Sequence, residues 1–483
     1  MNELNNPLGI EKTSTLLRKF SIPAIIGMVV SALYNVVDRI FISNAPDIGE
    51  LGLTGITIGF PIMILQLAVA LLFGIGGATL FSIKCGQNKP KEADEILGNT
   101  FTMLLLSGLL FTVLGISFHA PILRMFGASE QALPYSMAYM GIIFYGSVFQ
   151  MTSLGLNHLM RANGKPNLAM ITMFMGAGTN IVLDYVFIFI FKMGMAGAAL
   201  ATIISQAVSM TWILANFIKK DNPHRIQLRY MMPKWAHVRR IASYGTPSFM
   251  LQSVNSLLHL ILNTKLAFHG QELSIGVAGI AYNGGDLAVA AMGIVNSVQT
   301  ILLMPITGLN QGVQPIVSFN FGAKKYQRIK STEFQAMTAA TIIVVVGWLI
   351  TRLFSSQIVT LFNPDREQGL MSFGTFAVYT WFWGLPLVGM QILGANFFQA
   401  IGRPAIAMTL TLTRQVLLLI PAILVFSRIW GLNGILYAAP FADIVSAAIT
   451  GTSFYFGLRG LLRKGEKERE LAAQALGAQA ASS

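Results

Sequence analysis

Charged residues are scarce in this chain of 483 residues. Only 11% of them are Asp, Glu, Lys or Arg, whereas 54% are hydrophobic. Because a soluble globular protein carries about 25% charged residues, too few charges are present to coat a water-soluble body of this size. Cysteine is scarcer still, since Cys85 is the only one, and an internal disulfide is excluded. The composition also excludes intrinsic disorder and a collagen-like chain.

Catalytic and metal-binding motifs are missing as well. Gly164-Lys165 is followed by Pro166 and not by the Ser or Thr of a phosphate-binding loop, so ATP-driven pumping is not expected. The six histidines show neither an HExxH motif nor a clustered spacing. We therefore predict that the protein is not an enzyme and uses no cofactor. What the chain does have is a net charge of +13, which fits either nucleic-acid binding or a membrane protein with its cations on one side.

Long uncharged runs indicate that the chain is a membrane protein. A transmembrane helix needs about 20 mostly apolar residues. Nine uncharged runs meet or approach this length: 20–37, 51–83, 96–123, 131–160, 193–218, 241–264, 287–323, 334–351 and 368–402. Three further spans are interrupted by single charges, namely 167–191 by Asp184, 405–427 by Arg414 and 430–457 by Asp443. The sequence predicts an all-α membrane protein with twelve transmembrane helices and without a cleavable signal peptide.

The basic residues alternate loop by loop. With the N-terminus placed in the cytoplasm, about three quarters of the 33 Lys and Arg residues fall in segments on the inner side. This asymmetry predicts a multi-pass protein of the cell (inner or plasma) membrane with both termini cytoplasmic. It also explains the positive net charge without a nucleic-acid partner.

Sequence features recur in two halves of the chain. Gly164-Lys165-Pro166 is matched by Gly402-Arg403-Pro404, and residues 194–197 are matched by 431–434 at nearly the same separation. We predict two pseudo-symmetric six-helix bundles, 1–218 and 241–460, joined by a cytoplasmic linker loop, 219–240, and followed by a cytoplasmic tail, 461–483. Because six is an even number of helices, both bundles run in the same sense, as in parallel-repeat transporters.

The repeat breaks where the first bundle carries polar groups inside predicted spans. Asp38 lies about 27 Å along the first span, Asp184 roughly 25 Å along the fifth, and Thr202 about 12 Å from the outer end of the sixth. Asn180 and Asp184 are four residues apart and share a helix face. An ionisable group inside a membrane indicates a functional site. Oxygen ligands suit a hard cation such as Na⁺, and paired, desolvated carboxylates also hold H⁺, so either ion remains open.

Other polar residues in the spans allow more than one interpretation. Asp38 could instead pair with Arg39 or cap a helix break near the membrane surface. Arg414 and Asp443 lie at similar depths on consecutive spans, which favours a structural ion pair over substrate recognition. Residues that lipid would not favour, or that are adaptable, are candidates for a substrate cavity: Tyr34, Asn35, Tyr139, Gln150, Met151, Asn157, Met173 and Gln391.

Together these residues resemble the multidrug and toxic compound extrusion (MATE) family. The resemblance rests on twelve spans in two halves, on SALYNVVDRIFI at 31–42, on Gly-Lys-Pro after the fourth span, and on Asn180 with Asp184. It implies export of cationic, often aromatic drugs against sodium ions or protons. One branch places its acids in the first bundle, with Asn and Thr nearby, as at Asp38, Asn180, Asp184 and Thr202. Another branch uses acids in the seventh and tenth spans, which are uncharged here.

The leading hypothesis is a secondary active multidrug antiporter that exports cationic or amphipathic organic compounds and confers drug resistance. Its expected partners are small-molecule organic cations or drugs and the lipid bilayer. Its coupling ion would be H⁺ or Na⁺, and no other cofactor is expected. The protein is expected to be a monomer. The alternative is a flippase or exporter of a lipid-linked or natural-product substrate in the same superfamily. Such lipid-linked substrates are polyanionic and would need buried cations.

Overall fold

The computed structural model describes residues 6–43, 49–126, 128, 130–131, 133–219, 222–271, 284–363 and 368–481. At a few helical positions, Asn35 and Arg39 among them, only the backbone is described. Within these ranges all regular structure is helical. The helices of the first half are α1 Pro7–Ile10, α2 Thr13–Ser43, α3 Gly49–Gly86, α4 Pro90–Met125, α5 Leu133–Ala162, α6 Pro166–Asp184 and α7 Gly194–Ile218. A π-helical segment, Tyr185–Ile190, continues α6.

The second half follows a short 3-10 turn at Leu228–Tyr230. Its helices are α8 Trp235–Gly270, α9 Gly284–Gly322, α10 Tyr326–Leu353, α11 Ser355–Phe362, α12 Gln368–Trp381, α13 Leu385–Ala400, α14 Pro404–Leu412 and α15 Ile420–Ala481. A 3-10 turn at Phe382–Gly384 joins α12 to α13, and a π-helical segment at Thr413–Leu419 joins α14 to α15. Helix α15 continues past residue 461 into the tail segment.

The all-helical membrane architecture predicted from the sequence is confirmed. Among the described residues, nine helices are long and apolar enough to cross a membrane. One of them, Pro404–Leu471, contains two predicted spans, which are separated by non-helical backbone at Trp430 and Gly431. The two remaining spans are α5 and α8, whose 30 and 36 residues are long enough to cross but are less apolar.

The backbone repeats the irregularities of the first half in the second. Gly164 and Gly402 both have positive φ angles, 78° and 74°, in the turns that precede Pro166 and Pro404. Proline is favoured at the start of a helix, since its missing N–H would have no partner there. Non-helical backbone also interrupts α4 at Phe118 (φ −126°), and it separates α10 from α11 at Phe354 (φ −124°). Because the turns and helix breaks recur at matching positions, both halves have the same order of helices.

Glycines bring the two halves together near the side that carries the basic loops, here called the basic side. Gly76 on α3 has no room for a Cβ because the backbone of Ile241 on α8 lies against it. Gly312 on α9 makes the equivalent contact, where a Cβ would lie 2.6 Å from the Ser21 hydroxyl on α2. Small residues permit this close approach of membrane helices.

The hydrophobic cores show where the halves separate. On the basic side, one core combines first-half residues with Ile316 and Phe319, and a second core combines second-half residues with Leu17. Towards the opposite side, each of the other two cores contains residues of one half only. In the described part of the chain, the bundles therefore pack together on the basic side, and their cores are separate on the other.

The segment between the halves is held against the first half. Asn99 donates from its amide to the carbonyl oxygen of Tyr230 at 3.0 Å, and His224 Nδ1 lies 2.8 Å from Asp94 Oδ1. On the other half, α1 packs in an analogous way, because Lys325 donates to the Gly9 carbonyl oxygen at 2.8 Å. Polar contacts of this kind hold the segment between the halves, and α1, on the basic side of the bundle.

Candidate functional site

The candidate ion site begins at the end of α6. Asp184 is its last residue, and the chain continues directly into the π-helical segment Tyr185–Ile190. Such π-helical segments are frequent at functional sites, since they break the regular hydrogen-bond ladder. Asp184 is 0% exposed, and in the described part of the chain neither carboxylate oxygen has a hydrogen-bond partner. Asn180, one turn earlier, is 1% exposed, and both polar atoms of its side chain are in the same situation.

Asp38 completes the acidic pair from the neighbouring helix α2. Its carboxylate lies close enough to Asp184 for the two charges to interact. Tyr34 and Tyr139 lie within the electrostatic reach of both acids, and Thr202 is within hydrogen-bonding reach of Tyr139. The structure therefore brings Asp38 and Asp184 together and places Thr202 next to them through Tyr139. Asn180, the fourth predicted residue, lies one turn before Asp184 on α6.

The composition of this cluster is compatible with a site for a small cation. Two ionised carboxylates side by side in a dry environment repel each other, so a bound proton or cation would stabilise the pair. The surrounding groups supply uncharged oxygens from an amide, a threonine and two tyrosines. No group of three or more His, Cys, Asp or Glu residues that could hold a metal ion occurs in the described ranges. An oxygen-rich site with only two acids suits H⁺ or Na⁺ better than a transition metal.

The residues predicted to line a substrate cavity are dispersed. Tyr34 and Tyr139 belong to the acid cluster, and Met151 is fully buried between helices. Asn157 donates to the Ala169 carbonyl oxygen at 2.9 Å, which is a structural contact. Met173 packs against the backbone of Gly27, Gln150 is half-buried, and the Asn35 side chain lies outside the described residues.

A cavity of about 410 Å³ lies mainly in the second half. Gln391 is the member of the predicted set that lines it. Its polar lining consists largely of carboxamides, which include Asn255, Gln299 and Gln415. The sequence interpretation missed these residues because it ranked charged groups above amides. Amides that recur in otherwise uncharged spans were the available signal.

Arg414 and Asp443 form the predicted ion pair. The Nε and Nη2 atoms of Arg414 both lie 2.7 Å from Asp443 Oδ1, and both side chains are largely buried. Because the pair is neutral, it presents little net charge to the cavity that Arg414 borders. A second buried cation was missed: Arg161 is 3% exposed and contacts Asn157 and His158, and no salt bridge to it is found among the described residues.

Comparison with known proteins gives a consistent result. The MatE family model matches residues 23–186 and 267–424, one block in each half and together more than half of the chain. A multidrug export protein MepA from Staphylococcus haemolyticus is 28% identical over 431 residues, which cover 89% of this chain and 90% of the relative. A protein of the same name from Staphylococcus aureus is 25% identical over 428 residues, which cover 89% of this chain and 90% of that relative.

Solved structures agree in fold. A MATE crystal structure in complex with MaL6 has a TM-score of 0.87 at 24% identity and covers 95% of this chain and 99% of that one. The outward-facing conformation of a multidrug resistance MATE family transporter has a TM-score of 0.86 at 24% identity. The match covers 94% of this chain and 98% of that one. At these identities the structures establish the fold alone. With the family match in both halves, the two-bundle helical fold shows that this chain belongs to the MATE family of membrane transporters.

Proposed function

We propose that the protein is a secondary active multidrug antiporter that exports cationic or amphipathic organic compounds in exchange for H⁺ or Na⁺. The observation that carries this proposal is the acid pair: Asp184 is completely buried beside Asp38, without a donor on either oxygen in the described structure. The relatives named multidrug export proteins support the substrate class.

The driving ion would act by neutralising the acid pair. While both carboxylates are ionised, their repulsion favours separation of α2 from α6 in this region. A proton or a sodium ion removes that repulsion and allows the two helices to approach. Ion binding from one side of the membrane would therefore bias the position of α2 relative to the rest of the first half.

Helix α2 also connects the acid pair to the cavity. Gln311 on α9 lines the cavity and donates from its amide to the Met28 sulfur on α2 at 3.4 Å. Asp38 lies further along the same helix. A change in the position of α2 would thus alter the cavity wall directly, which gives the ion a route to lower the affinity for a bound compound. Because the bundles already pack tightly on the basic side, their separation there would complete alternating access.

The test is dye efflux from vesicles that contain the purified protein, with a sodium gradient and a proton gradient imposed one at a time. We expect one gradient to drive efflux in the wild-type protein and Asp184→Asn to abolish that dependence. The matched control is Asp286→Asn, the same change at an exposed carboxylate in the first turn of α9. Gradient-driven efflux that persists in Asp184→Asn would contradict the proposal.

A flippase or exporter of an anionic lipid-linked or natural-product substrate is the second candidate. It is favoured by Arg161, a buried cation next to His158, which itself borders the cavity. The neutral Arg414–Asp443 pair argues in the opposite direction, since it offers no free positive charge. Transport of an anionic lipid-linked saccharide, without transport of organic cations, would favour this candidate over the antiporter.

A further inference from the structure

The cavity of the second half presents hydrogen-bond acceptors rather than charges. No Asp or Glu lines it among the described residues, and its one Arg, Arg414, is paired with Asp443. In its wall, the side-chain oxygens of Gln311, Gln391 and Gln415 are buried without a hydrogen-bond partner in the described structure. A buried acceptor without a donor is destabilising, so three in one wall need an explanation.

The amide nitrogens of this wall are largely used by the protein itself. Gln415 donates to Asn255 Oδ1 at 3.0 Å, and Gln311 donates to the Met28 sulfur. Gln314 donates to Thr79 Oγ1 at 2.9 Å, and Gln399 donates to the Tyr244 carbonyl oxygen at 2.7 Å. The amide nitrogens of Gln311 and Gln415 are therefore engaged, while the side-chain oxygens of Gln311, Gln391 and Gln415 have no partner in the described structure. Since the terminal torsion of glutamine is soft, these oxygens can turn towards a ligand.

The remaining lining suits the body of an amphipathic compound. Leu258, Leu262 and Val388 supply apolar walls, and Trp381 supplies an aromatic ring that is held by a 3.0 Å bond to Gln299 Oε1. Neutral oxygens beside an aromatic ring can stabilise a cation, and they do so without the strong desolvation penalty of a buried carboxylate.

We propose that this wall, formed by Gln311, Gln391 and Gln415, selects amphipathic cations that carry N–H donors, such as amidinium, guanidinium or primary ammonium groups, over cations without them. This selectivity rests on the proposed export function and names the recognition element within it. A quaternary or phosphonium ion has no N–H to give, so it would occupy the same cavity through its apolar surface alone. Discrimination of this kind is strong where a polar group of the site would otherwise stay unpaired.

The experiment compares two probes in the same vesicles: the diamidine dye DAPI, which carries N–H donors, and tetraphenylphosphonium, which has none. We expect Gln391→Leu to raise the KM for DAPI efflux about tenfold or more, the worth of a hydrogen bond to a charged donor. Tetraphenylphosphonium efflux should stay within about twofold, which also shows that the variant folds. Gln415→Leu should repeat the pattern.

The matched control is Gln66→Leu. Gln66 is fully buried, its Oε1 also lacks a partner within the described residues, and it does not line the cavity. Its replacement should leave the ratio of the two probes unchanged. Equal loss of both probes in Gln391→Leu, or loss of neither, would overturn the selectivity while leaving export intact. If the wild-type protein moved neither probe, the proposed function itself would fail, and the selectivity with it.

Discussion

In the first half, α6 passes into a π-helical segment at Asp184, and in the second half α14 passes into one that carries Arg414. The two positions share an irregular backbone and a buried ionisable group, but the surroundings differ. Asp184 faces another acid and has no donor in the described structure, whereas Arg414 is neutralised by Asp443.

We propose that this difference separates an ion-binding site from a structural one. A buried charge without a counter-charge must recruit an ion or a proton, and its occupancy can therefore respond to a gradient. A buried pair with good geometry is satisfied already and has no reason to change. On this proposal, the first half senses an ion and the second half holds its shape around a cavity.

The largest expected effect is on stability in the second half. Asp443→Asn would leave Arg414 as a buried, uncompensated charge, and loss of one partner of such a pair costs about 3–5 kcal/mol. Asp184→Asn removes one of two repelling carboxylates, so we expect stability to stay unchanged or to rise slightly. Thermal unfolding of both variants in detergent measures the contrast.

A double variant sharpens this test. Replacement of both partners, Arg414→Met with Asp443→Leu, should recover most of the stability lost in Asp443→Asn, because a neutral pair of similar volume leaves no charge behind. Equal shifts of the unfolding temperature in Asp443→Asn and Asp184→Asn would show that the two halves do not differ in the way described.

The next largest effect is expected at the close glycine contacts between the halves, which occur once in each half. Gly76→Ala and Gly312→Ala would each force apart one of the two equivalent contacts on the basic side. Overpacking of this kind costs about 1–3 kcal/mol, and we expect similar costs at both positions. Both variants should also slow dye efflux, because they disturb the closed side of the bundle. Efflux rates and unfolding temperatures check the two expectations together.

Gly293→Ala is the control on the same helix as Gly312. A Cβ at Gly293 meets nothing within 4 Å, and alanine is a better helix former than glycine. It should leave efflux and stability unchanged or slightly raise stability. A large loss of stability in Gly76→Ala with no loss in Gly312→Ala would contradict the equivalence of the two glycine contacts.

Much of the fold could be predicted from the sequence because the signals are local. Uncharged runs predicted the spans, and Gly-Lys-Pro and Gly-Arg-Pro marked the same positive-φ turns in both halves. The acid pair could be predicted as well, since Asp38 and Asp184 are rare charges in apolar surroundings. The pairing of Arg414 with Asp443 followed from their depths on consecutive spans.

The cavity could not be predicted, for a physical reason. Carboxamides are uncharged, so they do not interrupt a hydrophobic run, and their role depends on which helices face each other. Asn255 and Gln415 lie far apart in sequence and meet only through packing of α8 against the π-helical segment after α14. Depth along a span predicts the level of a side chain in the membrane, but not the face it presents.

The smallest expected effect compares two acids near the basic side, in the N-terminal turns of α4 and α10. Glu95 on α4 is bound by Lys234, which directly precedes α8, at 2.7 Å and by His237 in the first turn of α8 at 3.0 Å. Glu333 on α10 is 1% exposed, and its Oε2 has no hydrogen-bond partner in the described residues. Glu95→Gln should cost about 1 kcal/mol, because one of its partners is exposed to solvent. Glu333→Gln should cost nothing.

Salt makes this last contrast easier to interpret. The Glu95 contribution should shrink as ionic strength rises, since Lys234 is 57% exposed and its attraction is screened. Glu333 is shielded from solvent, so its variant should behave alike at low and high salt. Unfolding temperatures of the two variants in low and high salt provide the measurement. A salt-dependent loss in Glu333→Gln would mean that this acid has an ionic partner, and the second half would then hold a compensated charge here as it does at Asp443.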